Sequence, residues 1–490
     1  CGLHLHLLLP KSNEHVNYLR CVMDKSEFTK WSNRATDWGQ TYLDGLRDRP
    51  VRAKVTPGDV AAMLPSHAPD QPEPMETIFA DFERIVPDAM THWQHPRFFA
   101  YFNSNAAPAS MVAEQLANTM AAQCMLWQTS PAATEIEGVM INWLRDALGL
   151  AGHFTGSIQD SATTATTTAV LTMRERAYGW TGITKGIAGH QQLRIYASAQ
   201  THSSIDKAVR LSGIGQDNLV KIPTDENYQM RPEALAQAIK DDRAAGFLPA
   251  GVVICVGGTS IGASDDVAAI VKIAKAEGLY THVDAAWAGS AMICPEFRTI
   301  WSGVDGADSI VFNPHKWLGA QFDVSVQFLA DPVPQIRTVG LRPAYLQTIG
   351  EDEITNYNEW TIPLGRRFRA LKLWFLMRAY GLEGLRTRIR NHVAWTAELA
   401  ETIRALPDFR IVTEPRLALF TFQFTPQGSD ANKATETLLQ RINDDGRVYL
   451  TQTLHDGQFV IRFTAGQFDC TRDDVMTVVE VLADLVQSKP

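Results

Sequence analysis

Apolar and polar positions follow two different rhythms along this chain. Between Glu27 and Leu46, apolar residues recur every three or four positions, which predicts an amphipathic helix with a strongly aromatic face. In the middle of the chain, short β-branched runs alternate with helical segments; the runs are 193–198, 251–256, 279–284, 308–312 and 324–329. Runs that are apolar on both faces and joined through helices predict a mainly parallel sheet with both faces covered.

The pattern of apolar and polar positions changes again at about Ala394. One helix is followed by three strand-like runs and then by a closing helix over 472–487. The three runs are 409–412, 417–424 and 459–464. Strands and helices in this order predict a small α+β domain of its own.

Composition narrows the class of protein. The 490 residues are 45% hydrophobic and 20% charged, which is typical of a globular protein, and a net charge of −9 argues against a nucleic-acid partner. The six cysteines lack CxxC or Cys/His spacing, so we expect neither a disulfide framework nor a metal site, and a cytoplasmic location fits best. No apolar run approaches the roughly 18 residues of a membrane helix.

Two polar residues come at the ends of predicted strands. Asp284 closes the strand 279–284, and Lys316 follows the strand 308–312 in "NPHKWLGAQFD". One strand, helix and strand unit fits between them, so neighbouring strands can bring the carboxylate and the amine into one crevice. The alternatives are an Asp that caps a helix and a Lys whose ammonium reaches water.

Two further features lie at strand ends. His202 follows the strand 193–198, and Ser161 and Thr163 precede a helix whose N-terminus can bind a phosphate. A structural histidine and a plain helix cap are the alternatives. Together the four features suit pyridoxal phosphate: a lysine for the Schiff base, a carboxylate for the ring nitrogen, an imidazole on the ring and a phosphate site.

Longer strings carry a family resemblance. They are "HWQHPRFFAYF" (92–102), "SPAATEIE" (130–137), "HVDAAWAGSAMICPEFR" (282–298), "NPHKWL" (313–318) and "PLGRRFRALKLWF" (363–375). With these strings, in this order, the chain resembles the pyridoxal-phosphate-dependent group II amino-acid decarboxylases, and within them the aromatic-L-amino-acid decarboxylases. The resemblance runs from about Glu27 to the C-terminus.

The resemblance implies an α/β fold, the fold type I of pyridoxal-phosphate-dependent transferases. The expected large domain has a mainly parallel, seven-stranded sheet, with a helical arm before it and a small α+β domain after it. The predicted division is a leader extension (1–22), an N-terminal helical dimerisation segment (23–107), a large cofactor-binding domain (108–374) and a small C-terminal domain (375–490). The expected assembly is a homodimer with shared active sites, without a nucleic-acid or membrane partner.

The resemblance also implies roles for single residues. The expected catalytic residues are Lys316, Asp284, His202 and the catalytic-loop tyrosine, Tyr345. The expected cofactor-binding residues are Ala162, Thr163, His202, Thr259, Asp284, Ala286, Asn313, His315 and Lys316. The expected substrate-binding residues are Trp93, Tyr101, Phe102, Asn103, Ser104, Met125, Phe322 and Gly365; Met125 and Phe322 match positions that line the neighbouring subunit's site.

Some positions depart from the family pattern. Asn103 stands where many members have Pro, Met125 where an aromatic residue is common, and Trp287 where Tyr is usual. Asp160 stands where animal members have Gly, and we expect its carboxylate to point away from the phosphate. These departures affect substrate choice, which stays open among tryptophan, tyrosine, DOPA, 5-hydroxytryptophan and phenylalanine.

The expected reaction is decarboxylation of an aromatic L-amino acid to an arylalkylamine and CO₂. Two alternatives are an aromatic aldehyde synthase, which also oxidises the amine carbon, and a catalytically inactive cofactor-binding protein. Tyr345 favours simple decarboxylation, because the aldehyde synthases carry Phe at that position.

Overall fold

The structure is a computed structural model that describes residues 23–341 and 354–487. The predicted leader (1–22) and the predicted catalytic tyrosine, Tyr345, lie outside the described residues. The helices are α1 (Lys25–Asp44), α2 (Asp59–Ala62), α3 (Met75–Ile85), α4 (Pro108–Thr119), α5 (Pro131–Leu148), α6 (Ala162–Ala177), α7 (Gly182–Lys185), α8 (Ser204–Leu211), α9 (Pro232–Ala244), α10 (Val267–Ala276), α11 (Val333–Val339), α12 (Ala370–Arg404), α13 (Ala431–Asp445) and α14 (Arg472–Gln487).

The strands fall into two sheets. They are β1 (Thr155–Gln159), β2 (Leu193–Ser198), β3 (Leu219–Ile222), β4 (Leu248–Cys255), β5 (Tyr280–Asp284), β6 (Ser309–Phe312), β7 (Ser325–Leu329), β8 (Phe409–Arg416), β9 (Leu419–Phe424), β10 (Thr451–His455) and β11 (Gln458–Thr464). The first seven form the large sheet and the last four the small one.

The predicted aromatic face of the first helix packs largely on its own chain. α1 begins at Asp24, whose carboxylate accepts the amides of Ser26 and Glu27. Trp31 and Trp38 then pack against aromatic rings of α3, with ring centroids 5.7 and 4.8 Å apart. Phe28 stays 48% exposed, so only part of the face is covered.

The large sheet has the strand order β1-β7-β6-β5-β4-β2-β3. Four neighbouring strand pairs are parallel: β3 with β2, β2 with β4, β4 with β5, and β5 with β6. This confirms the predicted mainly parallel sheet. β7 is antiparallel to both its neighbours, β1 and β6. The reason is the connection from β6 to β7, which consists of turns and contains no crossover helix of the length that a parallel return needs.

The small sheet is antiparallel throughout, in the order β10-β11-β9-β8. Helix α12 spans the junction of the two domains: its residues contact α4 and α5 on one side and β8 on the other. Gly381 interrupts the helix with φ 62° and ψ 164°, a backbone conformation that glycine adopts without strain. The predicted domain boundary after residue 374 falls inside this helix.

The centre of the large sheet is buried on both faces. β5 and β6 are buried along their whole length. None of the helices in 23–341 and 354–487 combines the length and apolar composition of a membrane span. The carboxyl ends of β4, β5 and β6 lie side by side at one edge of the large sheet, where ligands bind in folds of this kind.

Candidate active site

A cavity of about 180 Å³ opens at that edge of the sheet. Its walls come from the turns after β2, β4, β5 and β6, the start of α6, and one aromatic residue from the segment before α4. The lining residues are Phe102, Ser161, Ala162, Thr163, His202, Ser204, Cys255, Gly257, Gly258, Thr259, Asp284, Ala286, Trp287, Asn313, His315, Lys316 and Phe322. All nine predicted cofactor-binding residues therefore line one cavity.

Lys316 lies in a short helical turn, Pro314–Leu318, directly after β6. Its Nζ lies 4.9 Å from the ring centroid of Phe102. Burial lowers the pKa of Lys316 to about 8, against the opposing effect of the Asp284 carboxylate, and the positive charge of Arg462 adds to the lowering. A lysine with this pKa is partly neutral near physiological pH, as a nucleophilic amine must be.

Asp284 is the last residue of β5, and it pairs with Val311 of β6, five residues before Lys316. Its side chain is 7% exposed, and Oδ1 accepts the amide of Ala286 at 3.1 Å. Neighbouring parallel strands thus bring the carboxylate and the amine to one cavity. The carboxylate can pair with a protonated heteroaromatic nitrogen there, because a buried carboxylate requires a cationic or hydrogen-bonding partner.

Two histidines present their Nε2 atoms for further contacts. His202 Nδ1 accepts the amide of Ser204 at 3.1 Å, and His315 Nδ1 accepts the amide of Val324 at 3.0 Å. Burial lowers the pKa of His202, and it lowers the pKa of His315 to about 3. Both rings are therefore neutral at physiological pH with the proton on Nε2, which makes Nε2 a hydrogen-bond donor.

The other end of the cavity can hold an anion. Ser161 caps α6 by accepting the amide of Thr164 at 3.1 Å, which leaves the first-turn amides of Ala162 and Thr163 without intrahelical acceptors. Such a helix N-terminus binds phosphate groups. Asp160 is not among the lining residues.

The substrate residues predicted from the resemblance separate into two groups. Phe102 and Phe322 line the cavity. Trp93 and Tyr101 are 40% and 49% exposed and stack on each other with ring centroids 6.0 Å apart. Asn103 is 2% exposed, with its amide donated to the carbonyl of Phe98.

The remaining predicted substrate residues also lie outside the lining of this cavity in a single chain. They are Ser104, Met125 and Gly365. Gly365 is exposed on the surface, next to the side chain of Gln123. The substrate roles of all eight residues stay predictions.

Arg462, on β11, is a residue that the sequence reasoning missed. It is 2% exposed, and its Cζ lies 4.6 Å from the centroid of Phe102. Nη1 donates to the carbonyl of Tyr101 at 2.5 Å, while Nε and Nη2 have no partner among the described residues. Burial lowers its pKa to about 9. The available signal was a lone arginine inside the otherwise apolar strand "FVIRFT".

Trp287 supports the wall of the cavity. Its ring stacks on Phe102 at 4.8 Å with an interplanar angle of 17°, and on Trp317 at 4.9 Å with an angle of 10°. Three parallel rings therefore run from the cavity into the core.

A family model described as "Pyridoxal-dependent decarboxylase conserved domain" matches residues 57–425. The chain belongs to this family. It is 39% identical over 481 residues to the "Aromatic-L-amino-acid decarboxylase" of Rattus norvegicus, covering 95% of this chain and 98% of the relative. It is 35% identical over 457 residues to the "Phenylacetaldehyde synthase" of Arabidopsis thaliana, covering 91% and 92%.

A solved structure shows the same fold. The crystal structure of Oryza sativa TDC with PLP and tryptamine superposes with a TM-score of 0.91 at 32% identity, covering 94% of this chain and 98% of that one. This confirms fold type I and the family resemblance. The chain is accordingly a pyridoxal-phosphate-dependent decarboxylase.

The residues of this decarboxylase fit the cofactor. The cavity carries an amine of lowered pKa, a carboxylate from the neighbouring strand and a helix N-terminus, which are the three kinds of group that the aldehyde, the ring nitrogen and the phosphate would need. The turn after β4, which lines the cavity, is closely packed against the next turn: a Cβ at Gly257 would lie 2.4 Å from the Cβ of Ala288. The turn can therefore carry no side chain at this position.

Proposed function

We propose that this enzyme converts an aromatic L-amino acid into the corresponding arylalkylamine and CO₂. The observation that carries the proposal is the convergence of Lys316, Asp284 and Phe102 on one cavity. The chain is 39% identical to an aromatic-L-amino-acid decarboxylase over 95% of its length, which supports this substrate class. An aromatic wall suits a flat apolar side chain.

Lys316 would hold the cofactor through its aldehyde, because its amine lies in the cavity with a lowered pKa. Asp284 would keep the pyridine nitrogen protonated through its opposite charge. His202 would lie against the cofactor ring, and the backbone amides of Ala162 and Thr163 would bind the phosphate. The further proposed cofactor contacts are Thr259, Ala286, Asn313 and His315.

The cofactor supplies an electron sink for the pair that remains when the Cα–carboxylate bond breaks. The chain's own residues hold the substrate so that this bond is the one broken. Phe102 provides a flat surface below the amine of Lys316, and the positive charge of Arg462, near the same ring, favours an anionic carboxylate there. CO₂ leaves as a neutral product that the cation no longer attracts.

A proton must reach Cα to complete the amine. We propose Tyr345 as its donor, on the family resemblance alone, because this residue lies outside the described part of the chain. His202 is the alternative donor, because its Nε2 carries a proton and the ring lines the cavity.

An assay with six acids tests the reaction. We expect amine and CO₂ from at least one of tryptophan, tyrosine, DOPA, 5-hydroxytryptophan and phenylalanine, at a rate far above that with glutamate. A comparable rate with glutamate would contradict the aromatic substrate class. Absence of turnover of every acid, with the cofactor bound, would instead support an inactive cofactor-binding protein.

The second candidate is oxidative decarboxylation to an aldehyde, because one relative is a phenylacetaldehyde synthase. The two reactions are separated by their products: the oxidative reaction consumes O₂ and yields aldehyde, ammonia and peroxide in place of amine. We expect amine from the native chain. A product mixture dominated by aldehyde and peroxide would favour the second candidate.

We further propose a cytoplasmic homodimer with shared active sites. Val112 and Leu116 on α4 and Met120 directly after it are exposed at successive four-residue spacing, which is an apolar stripe that lacks cover in the single chain. Phe322, at the cavity, is 56% exposed. A second copy that covers these residues would close the cavity from outside, and sedimentation of the purified protein tests the assembly.

A further inference from the structure

Asn105 connects three segments of the chain at the catalytic lysine. It lies three residues before the first residue of α4, and it is 1% exposed. Its side-chain amide donates to the carbonyl of Lys316 at 2.5 Å and to the carbonyl of Gly466 at 2.9 Å. Its side-chain oxygen accepts the amide of Phe468 at 2.7 Å. Every hydrogen-bonding position of the side chain but one lone pair is thus used.

The backbone of the same residue holds the neighbouring peptide. The amide of Asn105 donates to the carbonyl of His315 at 3.1 Å, and two residues later Ala107 donates to the carbonyl of Gly319 at 3.0 Å. The segment therefore runs beside the turn Pro314–Leu318 and is bonded to it at both ends. The Asn105 side chain then ties this pair of segments to the residues that follow β11.

Packing leaves little freedom at this junction. A Cβ at Gly466 would lie 2.2 Å from the Asn103 side-chain oxygen, and a Cβ at Gly319 would lie 2.3 Å from the ring of Phe468. The three segments are in contact without room for a side chain at either glycine. Movement of the Lys316 carbonyl is therefore opposed by the small domain through one amide group.

We infer that Asn105 is a positioning residue for the reaction: it fixes the Lys316 peptide against the turn after β11, so that the lysine amine stays over Phe102 and near Asp284. The inference rests on the proposed function of Lys316. Asn105 itself is not among the residues that line the cavity. Small displacements of a reacting group cost large factors in rate, on the order of 10²-fold for about 1 Å.

Asn105→Asp is the sharpest variant, because it keeps the acceptor for the Phe468 amide and replaces the two donated hydrogen bonds by a carboxylate oxygen facing two carbonyls. Asn105→Ser serves if the aspartate variant does not fold. Gln94→Leu is the matched control: Gln94 exchanges two amide hydrogen bonds with the backbone of Ala106, on the same segment, without contacting Lys316.

Holoenzymes of the native chain and the variants are compared by kcat, KM, thermal midpoint, and the pH titration of the absorbance of the covalent lysine–cofactor bond. We expect Asn105→Asp or Asn105→Ser to lower kcat by roughly 10- to 100-fold and to shift the titration, with KM changed far less. Gln94→Leu should lower the thermal midpoint similarly while leaving kcat and the titration at the native values.

Two other results would overturn the inference. If the Asn105 variants lower only the thermal midpoint, as the control does, then Asn105 has a structural role alone. If Gln94→Leu reduces kcat as much as the Asn105 variants do, then any loosening of this segment lowers the rate. The side-chain amide of Asn105 then has no positioning role of its own. Failure of the native holoenzyme to show a lysine–cofactor absorbance would contradict the proposed function instead, which separates the two failures.

Discussion

The side chains of Lys316 and Arg462 approach the same aromatic ring: Lys316 Nζ lies 4.9 Å and Arg462 Cζ lies 4.6 Å from the centroid of Phe102. The lysine comes from the large domain and the arginine from β11 of the small domain. The positive charge of the Arg462 guanidinium lowers the tendency of Lys316 to hold a proton. The pKa of Lys316 therefore depends on the charge of Arg462.

The first prediction concerns this electrostatic effect. Burial sets the pKa of Lys316 to about 8, and the charge of Arg462 contributes to the lowering. Arg462→Gln should move the pKa of Lys316 upward by about one unit, the size expected for a unit charge roughly 10 Å away at an effective dielectric constant of about 20. The rate at which the cofactor-free enzyme captures added pyridoxal phosphate, measured against pH, should then rise at higher pH than in the native chain.

Arg462→Lys is the matched control because it keeps the charge, and its capture profile should stay near the native one. The sign follows from the amine: only neutral Lys316 attacks an aldehyde, so a higher pKa delays capture to higher pH. If the capture rate of Arg462→Gln rises at the same pH as that of the native chain, or at a lower pH, the proposed effect of Arg462 on the pKa of Lys316 is wrong.

The second prediction places the covalent bond. The amine of Lys316 lies in the cavity with a lowered pKa, so borohydride reduction of the holoenzyme should fix a pyridoxyl group on this residue. Peptide mapping by mass spectrometry is the measurement. Lys372 is the internal comparison, because it is fully buried but bonded to Gln321 and the carbonyl of Asp323. A pyridoxyl group on Lys372, or on any lysine but Lys316, would remove the proposed role.

The third prediction concerns stability. Glu137 and Arg366 form a buried ion pair whose side chains are both 5% exposed, with oxygen to nitrogen distances of 2.7 and 3.1 Å. Glu137 also accepts a hydrogen bond from the amide of Ile158 on β1, and Arg366 donates one to the carbonyl of Ile158. Glu137→Ala should lower the free energy of unfolding by about 3–5 kcal/mol, because it leaves a buried charge unpaired.

An exposed pair provides the comparison for this third prediction. Arg404 and Glu414 are 42% and 67% exposed, so Glu414→Ala should cost under about 1 kcal/mol in the same denaturation experiment. Equal losses for the two variants would show that the buried pair does not anchor β1.

The fourth prediction tests whether one site uses residues of two chains. Lys316→Ala and Tyr345→Phe chains are unfolded and refolded together so that mixed dimers form. If Tyr345 serves the partner's cavity, one site of each mixed dimer has both native residues, and amine formation returns from two inactive parents. If Tyr345 serves its own chain, every site lacks one residue, and mixed dimers of proven composition stay inactive.

The sequence predicted the central part of the sheet well, because the runs that form β4 and β6 are mostly β-branched and apolar, which is typical of buried strands. β1 was missed because Thr155–Gln159 contains a glycine and three polar residues. It is a strand because β7 pairs with it, which is a tertiary effect. β3 was missed because it has only four residues.

Some residues of the candidate site could be predicted from the sequence, and others could not. Residues at strand ends, such as Asp284 and Lys316, could be placed from the order of the elements alone. Arg462 and Asn105 could not, because their roles depend on contacts between segments hundreds of positions apart, such as that between Asn105 and Phe468. The side chain of Asn103, expected to bind substrate, turns toward Gly466, a contact that sequence order does not reveal.

The stack of Phe102, Trp287 and Trp317 has an optical consequence. An indole ring emits light when excited in the near ultraviolet, and an absorbing group within a few ring widths accepts that energy. Trp287 lines the cavity itself, and Trp317 lies one ring behind it at 4.9 Å. Two of the twelve tryptophans thus act as a built-in fluorescent reporter of cavity occupancy, readable without any label.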